Sequence, residues 1–545
     1  MIKRLLQIKF TSITSAAVVI GAAGLVSRLL GIVRDRVLAG QFGAGLELDV
    51  YFSAFRVPDL VYNLIVLGAL SAGFIPVFIS LIKKENSDKF SDNKSAWLLT
   101  NNVLNILALF LIVASTILVI FSHKIIPLIT PGFTGEKLQL TINLTRLMFF
   151  SPLILGISGI FGGVLQSYKR FFAFSLAPIM YNLGIIFGAI FLTNHYGIYG
   201  LAYGVILGAV FHLLIQLFPV VTLGFRYRFV FNFRDKNFLK IVKMMGPRIL
   251  GLASTQINLI VITILGSTLV CGSISIFNFA NNLQNFPIGL FGISFAIAAF
   301  PALSKSFSDK VDSEFFSVFV KTFKQIIFFI IPFSVIFLIL RVQIVRVILG
   351  SGQFNWEDTI LTANSLGLFC LSLFAQALIP LLARAFYARH NSVLPFIASF
   401  VSVLVNVFLS WYLIRKMGVL GLALGFSISS IINFILLVVM LKIKIRKLRF
   451  IGIVRSLFQI SVASLAMGVA IQYVKSALGN IVDMERFWGV FVQGFVAGII
   501  GLAVFSIVCI ILKNNEFYQF ASAFKRKMFK LFKIKGEGMR ESGGN

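Results

Sequence analysis

The sequence predicts an all-α integral membrane protein of about 14 transmembrane helices: two pseudo-symmetric six-helix lobes and two extra C-terminal helices. Three observations predict it. Apolar runs of about 20 residues or more recur along nearly all of the 545-residue chain, each long enough to cross ~30 Å of hydrocarbon. Charged residues make up only 12% of the chain, against about 25% in soluble domains. Short motifs also recur in the same order at an offset of about 220 residues. A soluble chain of this length would split into domains joined by polar linkers, and no such linker is visible. The 60 phenylalanines suit the same class, because Phe partitions readily into lipid.

Taken in order, the first lobe (1–223) holds spans at 11–35, 47–82, 94–122, 138–167, 172–194 and 197–223. The second lobe (224–444) holds spans at 238–269, 273–303, 315–349, 357–388, 394–414 and 418–443. The last two spans, 451–476 and 486–512, lie within 451–512. Several runs exceed the minimum length, so tilts or extensions beyond the bilayer are expected. Lys3, Arg4 and Lys9 precede the first span, which reads as a retained start-transfer helix rather than a cleaved leader.

Lysine and arginine orient the chain. They gather in alternate loops, as in Lys83, Lys84, Lys89 and Lys94, then Arg226, Arg228, Arg234 and Lys236, then Lys442, Lys444, Arg446 and Arg449. The intervening loops hold few. The basic loops are expected to be cytoplasmic, and both termini with them. Trp97, Trp356, Trp411 and Trp488 fall near predicted helix ends, where an aromatic belt is expected. The formal net charge of +30 sits in these short loops. No basic groove or aromatic-basic module for nucleic acid is visible, so a nucleic-acid partner is excluded. Cys271, Cys370 and Cys509 are widely spaced in or beside apolar segments and lack metal-ligand spacing. They read as small core residues, and no cofactor is implied.

The tail 513–545 is separate. Phe517, Phe520, Phe524, Met528 and Leu531 recur at helical spacing among Lys525, Arg526, Lys527, Lys530 and Lys533. That pattern predicts an amphipathic helix on an anionic inner leaflet, followed by a disordered end from Gly536.

The internal repeat is carried by four matches. Gly24-Leu25-Val26-Ser27 reappears as Gly251-Leu252-Ala253-Ser254, and Phe74-Ile75-Pro76 as Phe300-Pro301. Tyr168-Lys169-Arg170 reappears as Tyr387-Ala388-Arg389, and Gly197-Ile198-Tyr199-Gly200 as Gly418-Val419-Leu420-Gly421. An even number of helices per unit gives both units the same orientation, the geometry of alternating access. The glycines at 21, 24 and 31, and at 197, 200 and 204, are expected to let helix backbones approach closely.

Ionisable residues inside spans mark the candidate site, since each costs about 2.5–3.5 kcal/mol there. Arg28 stands alone in the first span; Arg34, Asp35 and Arg36 lie nearer its end, and Arg28 and Asp35 share a face. The second span carries Asp49, Arg56 and Asp59, with Arg56 and Asp59 spaced to pair. Arg248 enters the seventh span after Pro247. Asn278, Asn281, Asn282, Gln284 and Asn285 make the eighth span polar; these amides either contact a sugar or diphosphate or satisfy one another. Arginine exceeds acid in these positions, which predicts an anionic cargo. A diphosphate matches the guanidinium fork.

The chain resembles the MurJ (MviN) family of lipid II flippases in the multidrug/oligosaccharidyl-lipid/polysaccharide superfamily. The resemblance rests on S-R-L-L-G-I-V-R-D at Ser27 to Asp35, F-G-A-G at Phe42 to Gly45, and A-F-R-V-P-D-L at Ala54 to Leu60. It continues with G-A-L-S-A-G-F-I-P-V-F at Gly68 to Phe78, T-P-G-F at Thr130 to Phe133 and M-G-P at Met245 to Pro247. F-P-x-G-L-x-G at Phe286 to Gly292 and F-P-A-L-S-K-S at Phe300 to Ser306 complete it. The resemblance implies a fourteen-helix transporter, not an enzyme; a monomer is expected. It implies that undecaprenyl-diphosphate-linked peptidoglycan precursor (lipid II) crosses the bacterial cytoplasmic (inner) membrane through a central cationic cavity.

Arg28, Arg34, Asp35 and Asp49 match the family's cavity residues. Two further family arginines fall at Tyr62 and Asn282, and Arg248 is the candidate to replace a lost charge. The substrate-binding set is thus Arg28, Arg34, Asp35, Asp49, Arg56, Arg248, Asn281 and Asn282. The rivals are a flippase for another polyprenyl-linked glycan, a multidrug exporter of the same superfamily, and a membrane glycosyltransferase using Asp35, Glu47 and Asp49. The exporter would want a deep carboxylate, and the deepest acid, Asp59, has Arg56 beside it.

Overall fold

The computed structural model describes residues 13–67, 73–84, 93–309, 311–444, 451–522 and 525; the side chains at 13–18, 67, 83–84, 246–248, 250–251 and 451 fall outside the description. Every regular element among these residues is helical. That follows from the solvent: lipid offers no hydrogen bonds, so a spanning backbone satisfies itself.

The chain runs α1 (Ile13–Phe42), α2 (Leu46–Ala54), α3 (Arg56–Val61), a π-helical stretch (Tyr62–Leu67), α4 (Ile75–Lys84), α5 (Lys94–Ile120) and α6 (Ser122–Ile129). It continues with α7 (Gly135–Met148), α8 (Phe150–Ser167), α9 (Phe171–Phe187), a second π stretch (Gly188–Leu192), α10 (Thr193–Tyr196) and α11 (Tyr199–Thr222). Next come α12 (Lys236–Ser267), α13 (Ser273–Pro287), a third π stretch (Ile288–Ile293) and α14 (Ser294–Ser308). Then follow α15 (Asp312–Ile339), α16 (Arg341–Leu349), α17 (Trp356–Cys370) and α18 (Leu373–Ala388). The last four are α19 (Val393–Met417), α20 (Val419–Lys444), α21 (Ile451–Gly479) and α22 (Phe487–Ile511).

Among the described residues, ten helices are long and apolar enough to cross a bilayer, or eleven if α17 and α18, bent by 50° at their junction, make one span. Outside that count lie the ranges predicted at 11–35, 47–82 and 238–269, which are helical as α1, as the broken run α2 to α4, and as α12. Those three ranges carry every arginine of the candidate site.

The spacing of the sequence repeat reappears in the backbone. The π stretch Tyr62–Leu67 has its counterpart in Ile288–Ile293 about 220 residues later, and the α5–α6 break at Phe121 has one at Leu340. Positive φ angles recur at Lys169 and His390, and at Gly197 and Gly418.

Two compact units partition the chain: Met1–Leu283 with Ile348–Ser365 and Pro395–Ser429, and Gln284–Val347 with Leu366–Leu394 and Ser430–Asn545. In the first, α9 packs along α11 and α1. A Cβ on Gly184 would sit 2.2 Å from the Gly208 Cα, and one on Gly204 2.7 Å from the Gly188 Cα. Close approach is therefore real for Gly200, against the Leu192–Thr193 backbone, and for Gly204, as expected. Among the described residues it is not for Gly21, Gly24, Gly31 and Gly197, which have nothing within 4 Å; that part of the expectation is corrected. The core of this unit gathers Phe74, Phe78, Trp97, Phe161, Tyr168 and Phe225. Trp97 is only 7% exposed and stacks on Tyr168 at 6.0 Å between centroids. It is a core residue rather than part of a belt, whereas Trp356, Trp411 and Trp488 are exposed.

In the second unit α21 pairs with α22 and packs on α15. Gln343 Nε2 donates to Gln493 Oε1 at 2.8 Å, and Gln493 Nε2 donates to the Lys475 carbonyl at 2.8 Å. The start of the tail folds back on α15: Phe520 lies 5.3 Å from Phe329, and Lys324 pairs with Glu516 at 3.7 Å. The rest of the expected amphipathic tail helix, from Arg526 on, lies outside the described residues. Cys370 and Cys509 are buried as expected, but Cys271 is exposed in the turn before α13.

Candidate functional site

The three broken or charged stretches place their ionisable residues in three separate clusters, all within the first unit. The first sits late in α1. Asp35 is 6% exposed. Its Oδ1 accepts from Arg34 Nε at 3.0 Å and Nη2 at 2.8 Å, and its Oδ2 accepts from Asn282 Nδ2 of α13 at 2.9 Å. Arg34 Nη1 also donates to Asn182 Oδ1 of α9 at 3.2 Å. Asn182 is aimed by its own donations to the Ser27 and Pro178 carbonyls at 3.3 and 3.1 Å. The neighbouring Arg34 is thus a partner of Asp35 on α1. One carboxylate joins α1 to α13, and one amide joins α1 to α9.

The second cluster surrounds Arg56, the first residue of α3, which is 8% exposed. Its Nε donates to Thr263 Oγ1 of α12 at 2.7 Å and its Nη2 to Asn278 Oδ1 of α13 at 2.9 Å. Thr263 in turn donates to the Leu259 carbonyl, and Asn278 Nδ2 to the Ile274 carbonyl. Both hydrogen-bond acceptors of Arg56 are neutral. The spacing allowed a pair with Asp59, and the two act on each other electrostatically without a hydrogen bond or salt bridge between them; the Asp59 backbone carbonyl accepts from Asn63 at 2.8 Å. A guanidinium with no carboxylate in contact is able to take an anion in forked geometry.

The third cluster is centred on Asp49 in the first turn of α2, 2% exposed. Its Oδ2 accepts from the Gly272 N–H at 2.8 Å and from Lys137 Nζ at 3.1 Å. Its Oδ1 accepts from the Ser275 N–H at 3.0 Å and the Ser275 hydroxyl at 2.9 Å. Asp49 therefore caps the N-terminus of α13 from a different segment, where the exposed N–H groups and the helix dipole favour an anion. Gly272 makes the approach possible: its φ is +91°, and a Cβ there would lie 2.0 Å from the Ala44 carbonyl oxygen. Lys137 Nζ lies 4.0 Å from the Phe133 ring centroid and 3.7 Å from Cys271 Sγ.

Arg28 is half-buried on α1, about two turns before Asp35, and Asn281 is half-buried beside Asn282 on α13. The backbone of Arg248 belongs to α12; its side chain lies outside the described residues. The polar row of the eighth span is largely engaged inside the protein. Asn278 meets Arg56, Asn282 meets Asp35, and Gln284 Oε1 accepts from Gln376 at 2.9 Å.

Sequence reasoning missed Asn182, Thr263, Ser275 and Lys137 as partners. Asn182 carried a signal, being the one amide in an apolar helix. Thr263 and Ser275 carried none, because a hydroxyl is readily accommodated in a span through its own i−4 carbonyl.

The lipid II flippase MurJ family model matches residues 38–508; the run from Ser27 to Asp35 precedes that match. The chain is 32% identical over 502 residues to a probable lipid II flippase MurJ of Buchnera aphidicola subsp. Acyrthosiphon pisum (strain APS), covering 90% of this chain and 96% of the relative. It is 28% identical over 517 residues to a probable lipid II flippase MurJ of Vibrio cholerae serotype O1, covering 91% and 95%. Among solved structures, a lipid II flippase MurJ in an inward closed conformation superposes with a TM-score of 0.74 at 26% identity, covering 91% of this chain and 99% of that one. An inward-facing MATE-family multidrug transporter superposes with a TM-score of 0.65 at 16% identity, covering 77% and 95%. The second likeness concerns the fold alone.

Proposed function

The chain belongs to the lipid II flippase MurJ family, and from that membership we propose that it moves lipid II across the bacterial cytoplasmic membrane by alternating access. It is a transporter rather than a catalyst. Lipid II joins a polyprenyl tail to a diphosphate and a sugar-peptide head. The charged part is the part that needs help through hydrocarbon.

One observation supports the reading of the site: the buried Arg56 guanidinium hydrogen-bonds to Thr263 and Asn278, both neutral, and Asp59 acts on it only through space. A buried charge with no carboxylate in contact is costly, and a visiting anion relieves that cost. A phosphate oxygen supplies that anion and accepts in a forked geometry that suits arginine. In this reading Arg28, Arg34 and Arg248 are the further cations of the path, and Asn281 and Asn282 its amides.

In this reading a phosphate displaces Asp35 from Arg34, a contact within α1, and leaves the carboxylate held by Asn282 of α13. The head group then favours whichever helix arrangement contacts it better, because a ligand shifts an equilibrium by its differential contacts. Asp49 orients α13 within the same arrangement. The fuller architecture follows the same reading: fourteen spans, lobes 1–223 and 224–444, helices 13 and 14 within 451–512, and a 513–545 tail on the anionic inner leaflet. Both termini are cytoplasmic and the working unit is a monomer.

The test is reconstitution of the full chain into proteoliposomes with lipid II. Arg28→Ala and Arg56→Ala are each expected to abolish transport while leaving membrane insertion and yield unchanged. Wild-type transport by either variant refutes that residue's assignment. Depletion of the protein in cells is expected to accumulate the precursor on the inner leaflet; accumulation on the outer leaflet refutes the direction.

A further inference from the structure

Between α11 and α12 the chain is irregular over 225–232 and turns at 233–234, and Arg226, Arg228 and Arg234 are interleaved there with Tyr227, Phe229 and Phe233. These side chains are exposed, Phe229 by 79% and Tyr227 by 60%. The segment joins no sheet, yet its backbone is pinned. Asn101 of α5 accepts from the Arg228 N–H at 2.9 Å and donates to the Arg226 carbonyl at 3.1 Å. Asn102 accepts from the Asn232 N–H at 2.7 Å and donates to its carbonyl at 2.9 Å. Asn105 donates to the Arg228 and Val230 carbonyls at 3.0 and 3.1 Å. Three amides on one helix thus do the work of a neighbouring strand and hold the arginines in fixed positions.

The same helix lines a cavity of about 270 Å³ with Val103, Ile106 and Leu107, facing Phe238 and Ile241 of α12. Every lining residue is apolar, and Phe110 and Val242 at its edge are exposed. Phe233 links the two features, with its ring 6.5 Å from that of Phe238. Between residues 225 and 245 there are six basic residues and a single acid. That acid, Asp235, is committed to capping α12 by accepting from the Phe238 N–H at 2.8 Å.

We propose that the pinned Arg226–Arg234 segment and the apolar slot between α5 and α12 form one binding site for an anionic phospholipid of the bilayer. The arginines take the head-group phosphate, and part of one acyl chain enters the slot. Aromatic residues flanking basic ones at span ends suit the head-group layer, and polybasic segments attract anionic lipid. The occupant is resident lipid rather than transported cargo, because the exposed basic segment at the ends of two spans suits an anionic head group already in the bilayer, and the slot of about 270 Å³ takes only part of one chain. The site uses none of Arg28, Arg34 or Arg56, so it stands or falls apart from the transport reading.

Native mass spectrometry of the full-length protein tests it, with phosphatidylglycerol and phosphatidylcholine of matched chains. The wild type is expected to retain phosphatidylglycerol over phosphatidylcholine by on the order of tenfold or more, and each arginine to contribute on the order of fivefold. R226Q/R228Q/R234Q removes the preference; the asparagine bonds go to backbone and survive the change. Ile241→Trp, which fills the slot, lowers retention of both lipids. Should the triple variant elute as aggregate, Arg228→Gln alone is expected to show a partial loss. An unchanged preference in the folded arginine variants overturns the proposal. So does displacement of phosphatidylglycerol by undecaprenyl phosphate as readily as by phosphatidylglycerol itself.

Discussion

Asp49→Ala should destabilise the protein by about 3–5 kcal/mol, the range for removing one partner of a buried ion pair. The figure follows from what the carboxylate holds. It accepts three hydrogen bonds, from the Gly272 N–H and from the N–H and hydroxyl of Ser275, and an ion pair from Lys137 at 3.1 Å. Each bond to a charged group is worth about 1.5–3 kcal/mol, but bonds that share one carboxylate do not add. Alanine also strips an anion from the N-terminus of α13, which contributes about 0.3–1 kcal/mol and up to ~2 when partly buried. Solvent compensates little, since Asp49 is 2% exposed and the Lys137 side chain 17%. Asp49→Asn keeps the shape and one accepting oxygen but sets its NH2 against N–H donors, so it too should destabilise, by the loss of the ion pair and of the bonds on one oxygen. Equilibrium unfolding in mixed micelles measures both, and a cycle with Lys137→Met isolates the ion pair. An alanine variant within about 1 kcal/mol of the wild type refutes the capping argument. A stable Asp49→Asn that no longer transports would instead assign the carboxylate to the cargo.

Asn282→Leu removes the amide from Asp35 Oδ2, and in proteoliposomes it should change transport of lipid II while Asn278→Leu, which strips an acceptor from Arg56, should also lower stability; equal behaviour of the two would argue against separate clusters. Arg34→Lys keeps the charge but loses the fork that spans Asp35 and Asn182, so transport should fall by about tenfold with insertion intact. Gly204→Leu forces side-chain atoms into the α9 backbone and should destabilise by about 1–3 kcal/mol, read by thermal unfolding, whereas Gly24→Leu, with open space around it, should be close to neutral. Partial burial pushes the Cys271 thiol above its ordinary value while Lys137 pulls it down. Less thiolate is therefore present at neutral pH, maleimide labelling should rise with pH above the range of a free thiol, and Lys137→Gln should slow it further.

Apolar length was legible in the sequence because hydropathy reads it directly. Among the described residues the predicted span ranges are largely helical, including the broken ones. The breaks at Phe121, Phe149 and Leu340 were not legible, because a kink of one residue leaves hydropathy unchanged. The site was legible in its charges and not in its partnerships. Arg34, Asp35, Asp49 and Arg56 stood out as costly residues in lipid. Which oxygen each would meet depended on helices far away in sequence, such as Asn182 and Thr263. The asparagine ladder of α5 lay in plain view as an N-N-x-x-N pattern inside an apolar run. It escaped notice because its partners are backbone groups of a loop, which no residue type advertises.

The π-helical stretches at Tyr62–Leu67 and Ile288–Ile293 bear on how such a molecule changes shape. A π turn takes up extra chain relative to an α turn, and successive α-helical residues are about 100° apart around the axis. Relaxing Ile288–Ile293 by one residue would therefore swivel the helix that follows directly from it by roughly a quarter of a revolution, with hardly any translation. That swivel would carry Ser294 to Ser308 of α14 onto a new face. A π stretch of this kind lets a helix turn about its own axis while its neighbours keep their places along it.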